Sequence, residues 1–148
     1  MKENIITSRK ASTVDLEKIR TVKGRDRIAS SYSSYLTDES KIDLGKADVL
    51  FFPETADEVA AIFKEMSKKR EKITISGART GIVGGCVPLG GSVISLERMN
   101  AISCVRHEEN DKWFIKCQAG VTLKELAEKI NIKEFILDNE CDEAGKRF

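Results

Sequence analysis

Hydrophobic positions recur with two different periods along the chain, and each change of period marks an element. Leu16, Ile19 and Val22 repeat at helical spacing, with Asp15 or Thr13 placed to cap that turn. Between Asp26 and Leu36 the stripe of Ile28, Tyr32, Tyr35 and Leu36 predicts a second short helix. The polar stretch TDESKIDLGK reads as loop. Residues 1–45 are therefore expected to form an N-terminal arm with helical character, and residues 46–148 the main domain.

The pattern sharpens at Ala47. ADVLFF is a short apolar run closed by Pro53, the signature of a buried strand. Thr55 precedes Glu58 by three residues, the spacing of a capping box at a helix start. Val59, Ile62, Phe63 and Met66 then share one helical face, and KKREK ends it. Lys72–Ser76 alternates as a strand, and Ser92–Leu96, Ala101–Arg106 and Trp113–Gln118 read as three more, with Glu108–Lys112 a charged turn. Thr122 and Glu125 repeat the capping-box spacing before a helix expected to turn Leu123, Leu126, Ala127 and Ile130 inward. Phe135–Leu137 fits a last short strand. Helices mixed with parallel-type and hairpin-type strand connections place the fold in the α+β class, a small mixed sheet with flanking helices.

Composition narrows the function. With 25 Lys+Arg against 24 Asp+Glu the net charge is +1, so no long-range field draws the chain to nucleic acid or an anionic membrane. No apolar run has signal or membrane-span length, which predicts a soluble, cytoplasmic protein. Cys86, Cys104, Cys117 and Cys141 contain no C-x-x-C pair, and with His107 alone they make no metal pattern. They read as free thiols; a Cys104–Cys117 disulfide between neighbouring strands is sterically conceivable, although a reducing compartment would forbid it. His107, in the charged run RHEEND, reads as a solvated residue.

The chemistry concentrates in one loop. Gly77, Gly81, Gly84, Gly85, Gly90 and Gly91 lie between two predicted strands. Successive amides in such a loop can converge on an anion. Ser76 and Thr80 add hydroxyls and Arg79 a guanidinium suited to phosphate. The loop is not the dinucleotide fingerprint, because its spacing is G-x-x-x-G-x-x-G and Pro88, two glycines and a strand follow instead of a helix. Nor is it a Walker loop, since no lysine follows the glycines. From the residues alone, the glycines fit either an amide nest without a helix dipole or a set of hairpin turns and bulges.

Four runs in order carry a resemblance: YLTDES, ADVLFFPETADEVAAIF, TISGARTGIVGGCVPLGGSVISLERMNAI and QAGVTLKEL. Together they resemble the FAD-binding domain of the vanillyl-alcohol oxidase / p-cresol methylhydroxylase (PCMH) type, and within it the D-lactate dehydrogenase and glycolate oxidase D-subunit group. The resemblance covers residues 35–126 and makes 46–148 the first half of such a domain. It implies that Pro53 closes the first strand beside the cofactor. It also implies that Ser76, Gly77, Ala78, Arg79, Thr80 and Gly81 wrap the FAD pyrophosphate, with Gly84 and Gly85 as the second half of the loop. Leu96 and Asn100 match a strand exit beside the flavin, and Ala119 and Gly120 a turn before the second helix.

Two departures qualify what the resemblance implies. The family loop usually has glycine where Arg79 stands, and no histidine is present near it for a covalent flavin link, so FAD is expected to be non-covalent. A second flavin-contacting segment and a substrate domain with the catalytic residues have no counterpart in these 148 residues. The resemblance then implies the N-terminal FAD-binding portion of a flavin-dependent oxidoreductase acting on a 2-hydroxy acid, inactive alone and retaining FAD weakly or not at all. The competing expectation is a non-catalytic fragment or split subunit that associates with a partner chain or with itself. A third reading is an anion- or nucleotide-binding module unrelated to flavin. No catalytic residue is named.

Overall fold

Four short strands carry the fold, and three of them run parallel. The computed structural model describes residues 14–42, 44–108 and 112–132. In chain order its elements are β1 (Arg20–Lys23), α1 (Arg25–Ser31), β2 (Val49–Phe52), α2 (Ala56–Lys68), β3 (Ile73–Ser76), β4 (Ser92–Ser95), β5 (Ile102–Glu108), β6 (Lys112–Cys117) and α3 (Leu123–Ile132). The first sheet has the order β1-β2-β4-β3, and β5 and β6 form a separate antiparallel pair. β1 is antiparallel to β2, whereas β2 and β3 both run parallel to β4.

β4 lies between β2 and β3 and is buried at every position, as a central parallel strand covered on both faces must be. Its alternate side chains feed two cores. Val93 joins Leu50, Phe52, Val22, Ile28 and Leu36 on one face, with Tyr32 and Tyr35 packed against them. Ile94 joins Phe51, Ile62, Met66 and Ile19 on the other, under α2. Full burial of a side chain such as Phe52 or Ile62 contributes about 1.5–3 kcal/mol.

Both expected caps are present. Thr55 Oγ1 accepts the Glu58 amide at 3.2 Å, while the Glu58 carboxylate accepts the amide of Glu54 rather than that of Thr55. At α3 the box closes reciprocally: Glu125 accepts the Thr122 amide at 2.7 Å and Thr122 Oγ1 accepts the Glu125 amide at 3.2 Å.

Several expectations are corrected. Leu16 and Val22 do not share a helix: a single 3-10 turn (Leu16–Lys18), capped by Asp15, leads straight into β1. A lone turn has too little local stability to outcompete the edge of β2, whose register Val22↔Leu50 buries the same valine. The helix expected over 26–36 ends at Ser31 and resumes as a 3-10 turn, Ser33–Tyr35, which turns Tyr35 toward the sheet. On α3, Leu123 is 85 % exposed and Ile130 47 %, and Ala127 is exposed too, so of the face expected inward only Leu126 is even half-buried. On α2, Phe63 is also on the surface.

His107 belongs to β5 and pairs with Trp113, so the strands extend into the expected charged turn. Cys104 is in register with Lys116 and Ile102 with Cys117, which offsets the two cysteines across the pair. Cys86 and Cys117 are free thiols. Phe135–Leu137 and Cys141 lie outside the described residues.

A crevice at the carboxyl ends of the parallel strands

Parallel strands that share a direction also share an exit edge, and β2, β3 and β4 deliver their exits side by side. Such an edge is the usual binding crevice of an open parallel sheet. Pro53 follows β2 and is fully buried. Next to it, the Glu54 carboxylate pairs with Arg98 beyond β4, and the Glu54 carbonyl accepts the Gln118 amide at 2.9 Å. Ser76 ends β3 with no exposure, and its carbonyl accepts the Leu96 amide at 2.9 Å.

The chain between β3 and β4 is a crossover without a helix. It is neither a hairpin, since the strands it joins are parallel, nor a free arc. Arg79, at φ +60°, turns its side chain back: Nη1 donates to Ser76 Oγ at 3.4 Å and to the Gly77 carbonyl at 3.3 Å. The guanidinium lies 4.5 Å over the Tyr35 ring. Tyr35 packs edge-on against Phe52 and donates its hydroxyl to Glu97 at 2.7 Å. Burial first, and then the bond to the Glu97 carboxylate, push the Tyr35 hydroxyl pKa up to about 12. Arg20 lies 4.9 Å over the Phe52 ring, a second guanidinium on this face.

The second half of the loop folds onto an internal anion. Asp38, from YLTDES, is 5 % exposed; its Oδ1 accepts the Ser40 amide at 3.0 Å and also the Ser40 hydroxyl. Oδ2 is buried without a partner at full hydrogen-bonding geometry, although the amides of Cys86 and Gly84 face the carboxylate. The Ser40 hydroxyl, followed by these amides, holds the Asp38 carboxyl below the usual aspartate range. A Cβ on Gly81 would lie 3.8 Å from Oδ2, and the Glu39 amide donates to the Arg79 carbonyl at 3.2 Å. The amides of Gly84 and Cys86 thus face the protein's own carboxylate.

Among the expected site residues, Ser76, Gly77, Arg79 and Leu96 come together at one edge. Ala78, Thr80, Gly81 and Gly85 lie exposed along the loop. Gly84 faces Asp38. Gly120 is wedged against the backbone: its amide donates to the Met99 carbonyl at 2.8 Å, and a Cβ there would come within 1.9 Å of the Leu96 carbonyl oxygen. Asn100 is exposed and opens onto a separate cleft of about 550 Å³ shared with Glu125 and Lys129 of α3. A larger cleft, of about 890 Å³, lies between β1 and the end of α2, away from the glycine loop.

Sequence reasoning assigned no role to Tyr35, Asp38 or Ser95. YLTDES was a visible signal for the first two; nothing in the sequence marked Ser95.

An open parallel edge bearing a glycine loop, a cation and buried hydroxyls defines a nucleotide-cofactor fold. The chain matches the FAD binding domain family over residues 47–145 and belongs to it. It is 42 % identical over 87 residues to the D-lactate dehydrogenase of Anaerostipes hadrus, covering 57 % of this chain and 18 % of that protein. It is 30 % identical over 119 residues to the mitochondrial D-2-hydroxyglutarate dehydrogenase of Danio rerio, covering 80 % of this chain and 21 % of that protein. The chain thus spans about a fifth of the length of these relatives. Aclacinomycin oxidoreductase shares the fold at a TM-score of 0.57 and 16 % identity, over 80 % of this chain and 23 % of that one. Alkyldihydroxyacetonephosphate synthase does so at 0.51 and 21 %, over 60 % and 18 %.

FAD is the family's cofactor, and the crevice suits one. A Cβ at Gly77 or Gly85 would meet nothing within 4 Å, which leaves room beside the backbone for a ligand. Arg79 makes no ion pair among the described residues, so its charge is available to a phosphate. No helix among the described residues is long and apolar enough to cross a membrane.

Proposed function

We propose that this chain is the N-terminal FAD-binding portion of a flavin-dependent oxidoreductase that acts on a 2-hydroxy acid, and that it is inactive alone. The observation that carries the reading is the meeting of Ser76, Gly77 and Arg79 with the β4 exit at the carboxyl edge of the sheet. D-Lactate and D-2-hydroxyglutarate dehydrogenases among its relatives support the substrate class.

Ser76, Gly77, Ala78, Arg79, Thr80 and Gly81 would hold the pyrophosphate, with Gly84 and Gly85 shaping the rest of the loop. Pro53 and Leu96 would border the flavin, and Asn100 and Gly120 would set the exit of β4. When bound, the flavin supplies the hydride acceptor. This chain's residues bind and orient it, and no side chain here is assigned as base. With no histidine beside the loop, the cofactor would be held without a covalent link. Tyr35 and Asp38, which follow α1, would complete the site. A cytoplasmic setting would keep Cys86 and Cys117 as thiols.

Ala78, Thr80, Gly81 and Gly85 are exposed, so FAD on this edge stays largely wet, whereas ligand pockets normally bury most of such a molecule. Titration with FAD should therefore give weak, saturable binding that ADP competes away. Purification with near-stoichiometric flavin would contradict weak retention, and no binding at millimolar FAD would end the reading.

A second reading is favoured by surface. Ile82 and Val83 are 76 % and 81 % exposed on the loop, and β3 is an open edge of the sheet. A non-catalytic fragment or split subunit that pairs with another chain would cover them. Sedimentation as a strict monomer at high concentration would count against self-association.

A further inference from the structure

Ser95 is fully buried, and its Oγ has no hydrogen-bond partner. Buried hydroxyls are almost always satisfied, because a stranded one loses its hydration without compensation. Ser95 is the last residue of β4, in register with Ser76, the last residue of β3. Residues opposite one another in neighbouring parallel strands point to the same face, about 4.8 Å apart. That face is fixed by Val93, two residues earlier, which belongs to the same core cluster as Phe52, the cluster against which Tyr35 packs. The two serines therefore form a hydroxyl pair on the side of the sheet that Arg79 crosses.

Arg79 is the cover. Its hold on the pair is a 3.4 Å bond to Ser76 and a 3.3 Å bond to Gly77, both near the long limit. Glu97 faces this corner through Tyr35 and Arg20 flanks it through Phe52, while the Asp38 carboxylate lies under the second half of the same loop. A diphosphate would draw Arg79 off Ser76 by the stronger charge-assisted bond and give Ser95 the acceptor it lacks.

We propose that Ser95 is a further contact for the cofactor's diphosphate, uncovered when Arg79 exchanges Ser76 for phosphate. The proposal rests on the FAD-binding reading above. An unsatisfied buried hydroxyl kept for a ligand should be a liability in the free chain and an asset in the complex.

The test compares the intact chain with Ser95→Ala, by thermal unfolding without ligand and by equilibrium titration with FAD and with ADP. The variant should unfold at the same or a higher temperature yet bind both nucleotides about tenfold more weakly, the loss of one hydrogen bond to a charged group. Binding of riboflavin, which has no phosphate, should show no such loss. Equal affinity of the two proteins for FAD and ADP would overturn the role of Ser95 and leave the FAD reading standing. A lower unfolding temperature for Ser95→Ala would make the hydroxyl structural and overturn the proposal likewise. Failure of the unaltered chain to bind either nucleotide would remove the reading and the proposal together.

Discussion

The guanidinium of Arg79 sits 4.5 Å over the ring of Tyr35, joining the glycine loop to the segment that follows α1. The contact explains how a non-glycine residue is held at φ +60° in this loop. A left-handed conformation costs an L-residue about 1–2 kcal/mol. A part-buried cation–π contact returns about 0.5–2 kcal/mol. The two nearly cancel.

Arg79→Gly follows directly from that balance. It removes the backbone cost and the ring contact together, so unfolding free energy should change by less than about 1 kcal/mol. Arg79→Ala keeps the backbone cost and loses the contact, and should be the less stable of the two. Chemical denaturation of the three proteins tests the order; Arg79→Ala more stable than Arg79→Gly would refute it.

Two adjacent glycines should respond very differently to alanine. Gly90 and Gly91 both have positive φ, +93° and +76°. A Cβ on Gly90 meets nothing within 4 Å, whereas one on Gly91 would stand 2.4 Å from the Lys72 carbonyl oxygen. Gly90→Ala should cost about 1–2 kcal/mol from the backbone alone. Gly91→Ala adds a clash with backbone that cannot rotate away, and should cost at least about 3 kcal/mol. It also threatens the mutual bonds of Gly91 and Asp48, at 2.7 and 3.0 Å. Thermal unfolding in parallel decides; equal shifts would refute the close approach.

Acid should act on the glycine loop through Asp38. Its carboxyl pKa is held below the ordinary value, chiefly by the Ser40 hydroxyl. A depressed folded-state pKa means stability that is fully present above the unfolded value, about 3.9, and lost as pH falls below it through the folded one. Asp48, Glu65 and Glu125 are shifted in the same direction and contribute too. Asp38→Asn should therefore be less stable than the unaltered chain at neutral pH, with the gap narrowing toward pH 3. Melting temperatures across that range check it, and a gap independent of pH would exclude the carboxylate as its cause.

The α+β class and the placing of most strands and helices were legible because their signals are local, whereas FAD binding was read from the resemblance of four runs in order along the chain. VLFF, ITIS and SVIS are short apolar or alternating runs, and Thr55 and Thr122 announce helix starts through side chains three residues away. Glycines crowded between two strands mark where backbone must bend or approach closely. Each of these local signals is decided within a few residues, so sequence alone determined it.

Tertiary structure decided the rest. Val22 belongs to a strand because Leu50 was there to pair with it, not because of its own spacing. Leu123 and Ile130 stayed on the surface because amphipathic spacing specifies a face without specifying a neighbour. Asp38 reaches the amides of Gly84 and Cys86, and Ser95 meets Ser76, across long stretches of chain. Each of those contacts depends on strand order, and strand order is set by which faces bury together, a property that no single segment contains.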